Sequence, residues 1–133
     1  MTKRGPHIVH VCTSCRARGA SGAPGVERAG SVLYRSLRRA VLDSPLSEEV
    51  QVKPTECLSV CPRPCGIAMS SPGGWTYLFG DQHPTEGVKA ILDCIALYVR
   101  TSDGFMSRSQ RPSTLRSGIL GRVPPLPRSP EGT

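Results

Sequence analysis

Ile8-Val9-His10-Val11-Cys12-Thr13-Ser14-Cys15 is the stretch from which the rest of this chain is read. Ile8 to Val11 is a short apolar run that ends on a cysteine, the pattern of a β-strand. The glycine-rich stretch from Gly19 to Gly25 is a loop. Val26, Ala29, Leu33, Leu37 and Val41 then recur at three- and four-residue steps, which is one face of a helix, and Arg28, Arg35, Arg38 and Arg39 fall mostly on the other side. Asp43-Ser44-Pro45 stops that helix, and Val50 and Val52 alternate with polar neighbours as a second strand. A cysteine-tipped strand followed by a helix and a strand is a β-α-β unit, and its crossover requires the two strands to be parallel.

Further on, Ile67 and Met69 alternate in a third strand, Ser71-Pro72-Gly73-Gly74 makes a turn, and Trp75-Thr76-Tyr77-Leu78-Phe79 is a fourth strand of high β propensity. Val88, Ile91, Leu92, Ile95 and Val99 form a second amphipathic helix that closes near Asp103-Gly104. The order β-α-β-β-β-α predicts an α/β fold, a four-stranded mixed sheet with helices packed on it in the thioredoxin-like layout. Periodicity alone also admits other α/β sandwiches. Residues 1–104 are expected to form this domain. Residues 105–133 are rich in Arg, Pro and Ser and are expected to be an extended C-terminal arm. No internal repeat is present.

Five of the six cysteines fall in two loops. Cys12 and Cys15 follow the first strand; Cys57, Cys61 and Cys65 lie between the second and third. If the first two strands are parallel neighbours, their C-terminal ends lie side by side and the two groups converge. Zinc takes two short cysteine knuckles around a tetrahedral ion, and a [2Fe–2S] cluster takes four thiolates, two on each iron. Cys12, Cys15, Cys57 and Cys61 are the expected ligands of either. Cys65 is held in reserve, because Pro62 and Pro64 constrain it and are expected to turn it from Cys61. A third chemistry is a CxxC dithiol redox pair at Cys12 and Cys15. It needs a helix to begin at once so that its N-terminus lowers a thiol pKa, and the glycine-rich loop delays the helix. Cys94, mid-helix beside the apolar stripe, is expected to be a core residue.

The remaining candidates are weaker. His7 and His10 flank the first strand, with His10 an alternative fourth ligand, and His83 precedes the second helix. Trp75, Tyr77 and Phe79 share one face of a strand and are expected to pack under a helix. There is no P-loop, no Ser/His/Asp constellation and no paired carboxylate, so an enzyme of those classes is not expected. The chain of 133 residues carries a net charge of +7, from 17 Lys and Arg against 10 Asp and Glu. Its arginine, glycine and proline content has the look of a GC-rich genome, and nucleic acid is not expected as a partner. No apolar run approaches the ~20 residues that span a bilayer or the ~7–15 of a secretory signal, so no membrane association and a cytoplasmic location are expected. In a reducing cytosol the cysteine count points to metal, iron–sulfur or thiol chemistry. Arg108, Arg111, Arg116 and Arg122 make the arm either a solvated tail or a docking arm for an acidic partner.

With these motifs in place the chain resembles the thioredoxin-like [2Fe–2S] ferredoxins over about residues 7–100. Val11-Cys12-Thr13 with the loop and helix beyond is similar to their opening, and Cys57-Leu58-Ser59-Val60-Cys61 to their second motif. The whole chain is also similar to a bacterial family of predicted metal-binding proteins often found beside cobalamin-synthesis genes, a likeness that extends into Gly118-Ile119-Leu120 and Arg122-Val123-Pro124-Pro125. The resemblance implies a thioredoxin-like fold, often dimeric, and a [2Fe–2S] cluster that exchanges electrons with a redox partner protein. It carries over to Cys12, Cys57 and Cys61. The ferredoxins place their second ligand about a dozen residues after the first, and around Gly25 to Glu27 this chain has no cysteine, so the fourth place falls to Cys15 or Cys65. The expected function is electron transfer by a non-enzymatic iron–sulfur protein. The alternatives are a zinc or other metal-binding accessory protein, cobalamin-related, and the dithiol redox protein.

Overall fold

The computed structural model describes residues 6–13, 28–56 and 65–125. Strand β1 (His7–Cys12) is followed by helix α1 (Ala29–Leu42) and strand β2 (Val50–Thr55). Strands β3 (Ile67–Ser70) and β4 (Thr76–Phe79), helix α2 (Val88–Arg100), the short helix α3 (Ser113–Ser117) and strand β5 (Ile119–Val123) complete the order. The sheet runs β2-β1-β3-β4-β5. β1 and β2 are parallel, with Val9 opposite Val52 and Cys12 opposite Thr55. β3 is antiparallel to β1 and β4 antiparallel to β3, which is the expected hairpin.

The helices form where the apolar stripes predict them, with Val26 outside the described residues. α1 buries Leu33, Leu37 and Val41, and it packs on β1, β2 and α2. It ends at Leu42; Ser44 begins the next turn, its hydroxyl accepting from the Leu46 N–H at 3.1 Å. α2 buries Ile91, Cys94, Ile95 and Tyr98. Val9, Val11, Ile67, Met69, Tyr77 and Phe79 complete the core from the sheet. Tyr77 and Phe79 are fully buried, as their packing role requires.

Two expectations need correcting. The sheet has five strands, not four, and the fifth comes from the stretch expected to be an arm. β5 pairs antiparallel with β4, with Tyr77 opposite Arg122 and Leu78 opposite Gly121. Met106 and Leu115 are buried in the same core. The Tyr77 hydroxyl donates to the Met106 carbonyl at 3.1 Å and accepts from its N–H at 2.8 Å, which fastens the chain beyond α2 to the sheet. Two of the four arginines read as docking groups are structural. Arg111 is 5% exposed and lies 5.7 Å over the Tyr77 ring, and Arg122 lies 5.1 Å over the rings of both Trp75 and Phe105. Burial pulls the Arg111 pKa below its ordinary value.

Candidate metal centre

The site is built from the C-terminal end of β1. Cys12 is the last residue of that strand, and sheet pairing fixes its backbone: its N–H donates to the Gly66 carbonyl at 3.0 Å. The next residue is tied to β2, with the Thr13 N–H donating to the Thr55 carbonyl at 2.8 Å. The Cys12 thiol donates to the Glu56 carbonyl at 3.9 Å. Glu56 is where the chain leaves β2, one residue before Cys57 in sequence. The parallel pairing therefore brings the C-terminal end of β2, at Glu56, beside Cys12.

The first turn of α1 closes on the same point. A Cβ at Gly30 would lie 1.9 Å from the Cys12 carbonyl oxygen and 3.1 Å from the Thr13 carbonyl carbon, so only glycine permits the approach. The Ser31 hydroxyl donates to the Thr13 carbonyl at 3.4 Å. The positive end of α1 thus stands against the backbone of Cys12, and a helix N-terminus favours negative charge nearby by ~0.3–1 kcal/mol.

Cys65 enters from the other side. It immediately precedes Gly66, the residue hydrogen-bonded to Cys12, and is 1% exposed. Its N–H donates to the Gln82 carbonyl, and its carbonyl accepts from the Gln82 N–H, both at 3.3 Å. Gln82 is itself buried, its side-chain amide donating to the carbonyls of Gly80 at 2.7 Å and Thr114 at 3.2 Å. Burial pushes the Cys65 thiol up to about 11, and the negative charge of Cys12 adds to the rise. A thiol raised in this way is a poor anion alone and becomes a good ligand when a soft cation replaces its proton. Cys12, Cys65 and Cys94 form no disulfide.

Cys15, Cys57 and Cys61 lie outside the described residues. Among the described residues no group of three or more His, Cys, Asp or Glu is placed to hold a metal ion. Cys94 is apart from the site and wholly buried, its thiol 3.7 Å from the Met106 sulfur; burial pushes it up to about 12, against the pull of Arg111. His7 is buried against the edge of the Tyr98 ring, with the ring centroids 5.9 Å apart. His10 is half-buried in β1, opposite Lys53 and Ala68. His83 accepts the Thr85 and Glu86 N–H groups at its Nδ1, at 3.2 and 3.0 Å, which caps the turn before α2.

Three supporting residues escape a reading by cysteine spacing. Gly30 and Gln82 are two. Gly118 is the third: a Cβ there would lie 2.6 Å from the Gln82 amide nitrogen and 2.6 Å from the carbonyls of Gly80 and Thr114. The only signal for Gly30 is a glycine placed on the buried stripe of an otherwise good helix.

The sequence model of a family described as "Protein of unknown function (DUF1636)" matches residues 9–125. No curated protein matches the chain. Two solved structures of a thioredoxin-like [2Fe–2S] ferredoxin from Aquifex aeolicus are similar to it. The first is 17% identical over 90% of this chain and 94% of its own, with a TM-score of 0.59. The second, described as the wild type, is 14% identical over 86% and 96%, with a TM-score of 0.55. The fold is thioredoxin-like. No helix among the described residues is long and apolar enough to cross a membrane.

Proposed function

The chain belongs to the DUF1636 family, and from that premise and its fold we propose that it is an electron carrier holding one [2Fe–2S] cluster at the cysteine end of its sheet. The observation that carries this reading is the juxtaposition of Cys12 with Cys65 and with the exit of β2 one residue before Cys57. The four thiolates are those of Cys12, Cys15, Cys57 and Cys61, with Cys65 in reserve. A cluster held there supplies one-electron transfer at a potential set by burial and by hydrogen bonds to sulfur. The chain's own part is to bind, orient and desolvate. β1 holds Cys12, Gln82 holds Cys65, and α1 brings the positive end of its dipole. A dithiol enzyme is less well supported, because α1 begins at Ala29, well beyond Cys15 in sequence.

The partner is a protein with an acidic docking face. Arg108 and Arg116 line a cavity of about 510 Å3 with Ser107 and Ser109. Neither arginine has an ion-pair partner among the described residues. Thr114, in the same short helix as Arg116, accepts the Gln82 amide, which ties that helix to the residue paired with Cys65 and supports a docking face on this side. Charges placed there steer an encounter toward the point where the electron leaves.

Anaerobic purification of the full chain, with iron and acid-labile sulfide measured, tests the reading. The expected result is a brown protein with about two irons and two sulfides per chain that bleaches on reduction by dithionite. A colourless chain holding zinc without sulfide would overturn it in favour of a metal-binding accessory role.

A further inference from the structure

We propose that the cavity lined by Ser107, Arg108, Ser109 and Arg116 is a binding site for a phosphate group, free or carried on a small molecule. The inference goes beyond the metal-centre reading and does not depend on it. It concerns the segment between α2 and β5.

The positive charge of this segment is uncompensated. Residues 104–130 contain no Asp or Glu and carry Arg108, Arg111, Arg116, Arg122 and Arg128. On α1 and α2 exposed cations have carboxylates near them: Arg39 lies 3.9 Å from Asp43, and Lys89 lies 3.4 Å from Asp93. Arg111 is buried, with no hydrogen-bond partner at its Nε. Burial pulls its pKa down, and the charges of Arg108 and Arg122 add to the fall. A bound anion would relieve this mutual repulsion.

The walls of the cavity are held in place. The Ser107 N–H and hydroxyl donate to the Gln110 Oε1 at 3.1 and 3.0 Å, which closes the turn that carries Arg108 and Ser109. On the other side, the fully buried Leu115 fixes α3. The Arg116 guanidinium is anchored through its Nη1, which donates to the Arg111 carbonyl at 2.7 Å. That bond leaves most of its N–H donors for a ligand.

Two guanidiniums around one space suit a ligand of two charges. A phosphate monoester carries about −1.5 to −2 at pH 7 and accepts on three oxygens, so it can engage both arginines and the Ser109 hydroxyl at once. A carboxylate is satisfied by one bidentate arginine and leaves the second cation unpaired. The volume of about 510 Å3 falls within the ~300–1,000 Å3 of small-molecule sites, which leaves room for an organic group on the phosphate. On the electron-carrier reading, a bound dianion would cancel the charges that steer an acidic partner, so ligand and partner would exclude each other at this face.

The test titrates the full chain, as purified, with inorganic phosphate, adenosine monophosphate and acetate at matched ionic strength, followed by calorimetry and amide chemical shifts. Saturable binding of phosphate is expected, with shifts centred on residues 107–116, and acetate should not saturate. A tighter monophosphate assigns the group to a phosphorylated small molecule, and equal affinities assign it to free phosphate. Arg108→Gln and Arg116→Gln should each weaken binding by about tenfold or more, as the loss of a charge-assisted pair does. Arg38→Gln, exposed on α1, should leave it unchanged. If Arg116→Gln fails to fold for want of its bond to the Arg111 carbonyl, the exposed Arg108 carries the test through Arg108→Gln. No saturable phosphate binding, equal binding of acetate, shifts confined to α1, or an Arg108→Gln variant that binds like the parent would each overturn the assignment. None of these outcomes turns on iron content, so the electron-carrier reading stands or falls separately.

Discussion

Replacing Gly30 by alanine separates two forces of opposite sign. In a helix, alanine is favoured over glycine by up to about 1 kcal/mol, so in open space Gly30→Ala would stabilise the protein. The structure predicts the reverse. The added Cβ would lie 1.9 Å from the Cys12 carbonyl oxygen, and the partner is sheet backbone that cannot swing aside as a flexible side-chain tip can. Restoring ordinary contact requires α1 to withdraw by more than about 1 Å along a face that buries Leu33, Leu37 and Val41. Overpacking of this kind costs ~1–3 kcal/mol, with a rigid partner at the upper end, so the net loss is about 2 kcal/mol after the helical gain. With a urea slope of about 1–3 kcal/mol per molar, the unfolding midpoint of the metal-free chain should fall by roughly 1 M. The same movement displaces Cys12, so iron per chain after reconstitution should fall as well. Urea denaturation followed by circular dichroism at 222 nm measures the first effect and iron analysis the second. A midpoint that is unchanged or raised would refute the close approach of α1 to β1, and with it the argument that the helix end stands over the site.

Leu115 is fully buried in the segment first expected to be an arm, so Leu115→Ala should lower stability by about 2–4 kcal/mol by chemical denaturation; a solvated arm would tolerate the change. Cys94 is raised to about 12 by burial, above its value in the unfolded chain. Its contribution is therefore complete below about pH 9 and is lost as pH climbs toward 12, with a slope of at most about 1.4 kcal/mol per unit. Urea midpoints of the metal-free protein from pH 8 to 11 should show a decline that Cys94→Val reduces. Reversing the cations at the cavity, Arg108→Glu with Arg116→Glu, should slow oxidation of the reduced protein by ferricyanide several-fold at low salt and speed oxidation by the cationic cobalt hexaammine; a difference that persists at 1 M salt would argue against electrostatic steering.

Most of the architecture was legible because its signals are local. A β-branched run before Cys12, the stripes of α1 and α2 and the Ser71–Gly74 turn each act through the residues that display them, and those elements stand where the periodicity puts them. β5 was not legible for a physical reason. It is an edge strand held to β4 by backbone hydrogen bonds, so it needs little apolar alternation, and Gly121 and Arg122 interrupt what it has. The Ser- and Pro-rich composition around it then reads as an arm. Arg111 misleads in the same way. An arginine count implies surface charge, yet this guanidinium lies over the buried Tyr77 ring, and its Nε has no hydrogen-bond partner.

The site follows the same division. Spacing in sequence showed which cysteines follow strands, and parallel pairing of β1 with β2 does bring Cys12 beside the segment that leads to Cys57. Spacing could not show how Cys65 is held, because nearness along the chain says nothing of strand order. β3 lies next to β1, not beyond β2, so the residue that opens the approach to β3 arrives at the rim next to Cys12. What then holds Cys65 is Gln82, seventeen positions away and part of no motif, paired to it through backbone alone. The Cys65 backbone is thus fixed by strand order, which no spacing of cysteines displays.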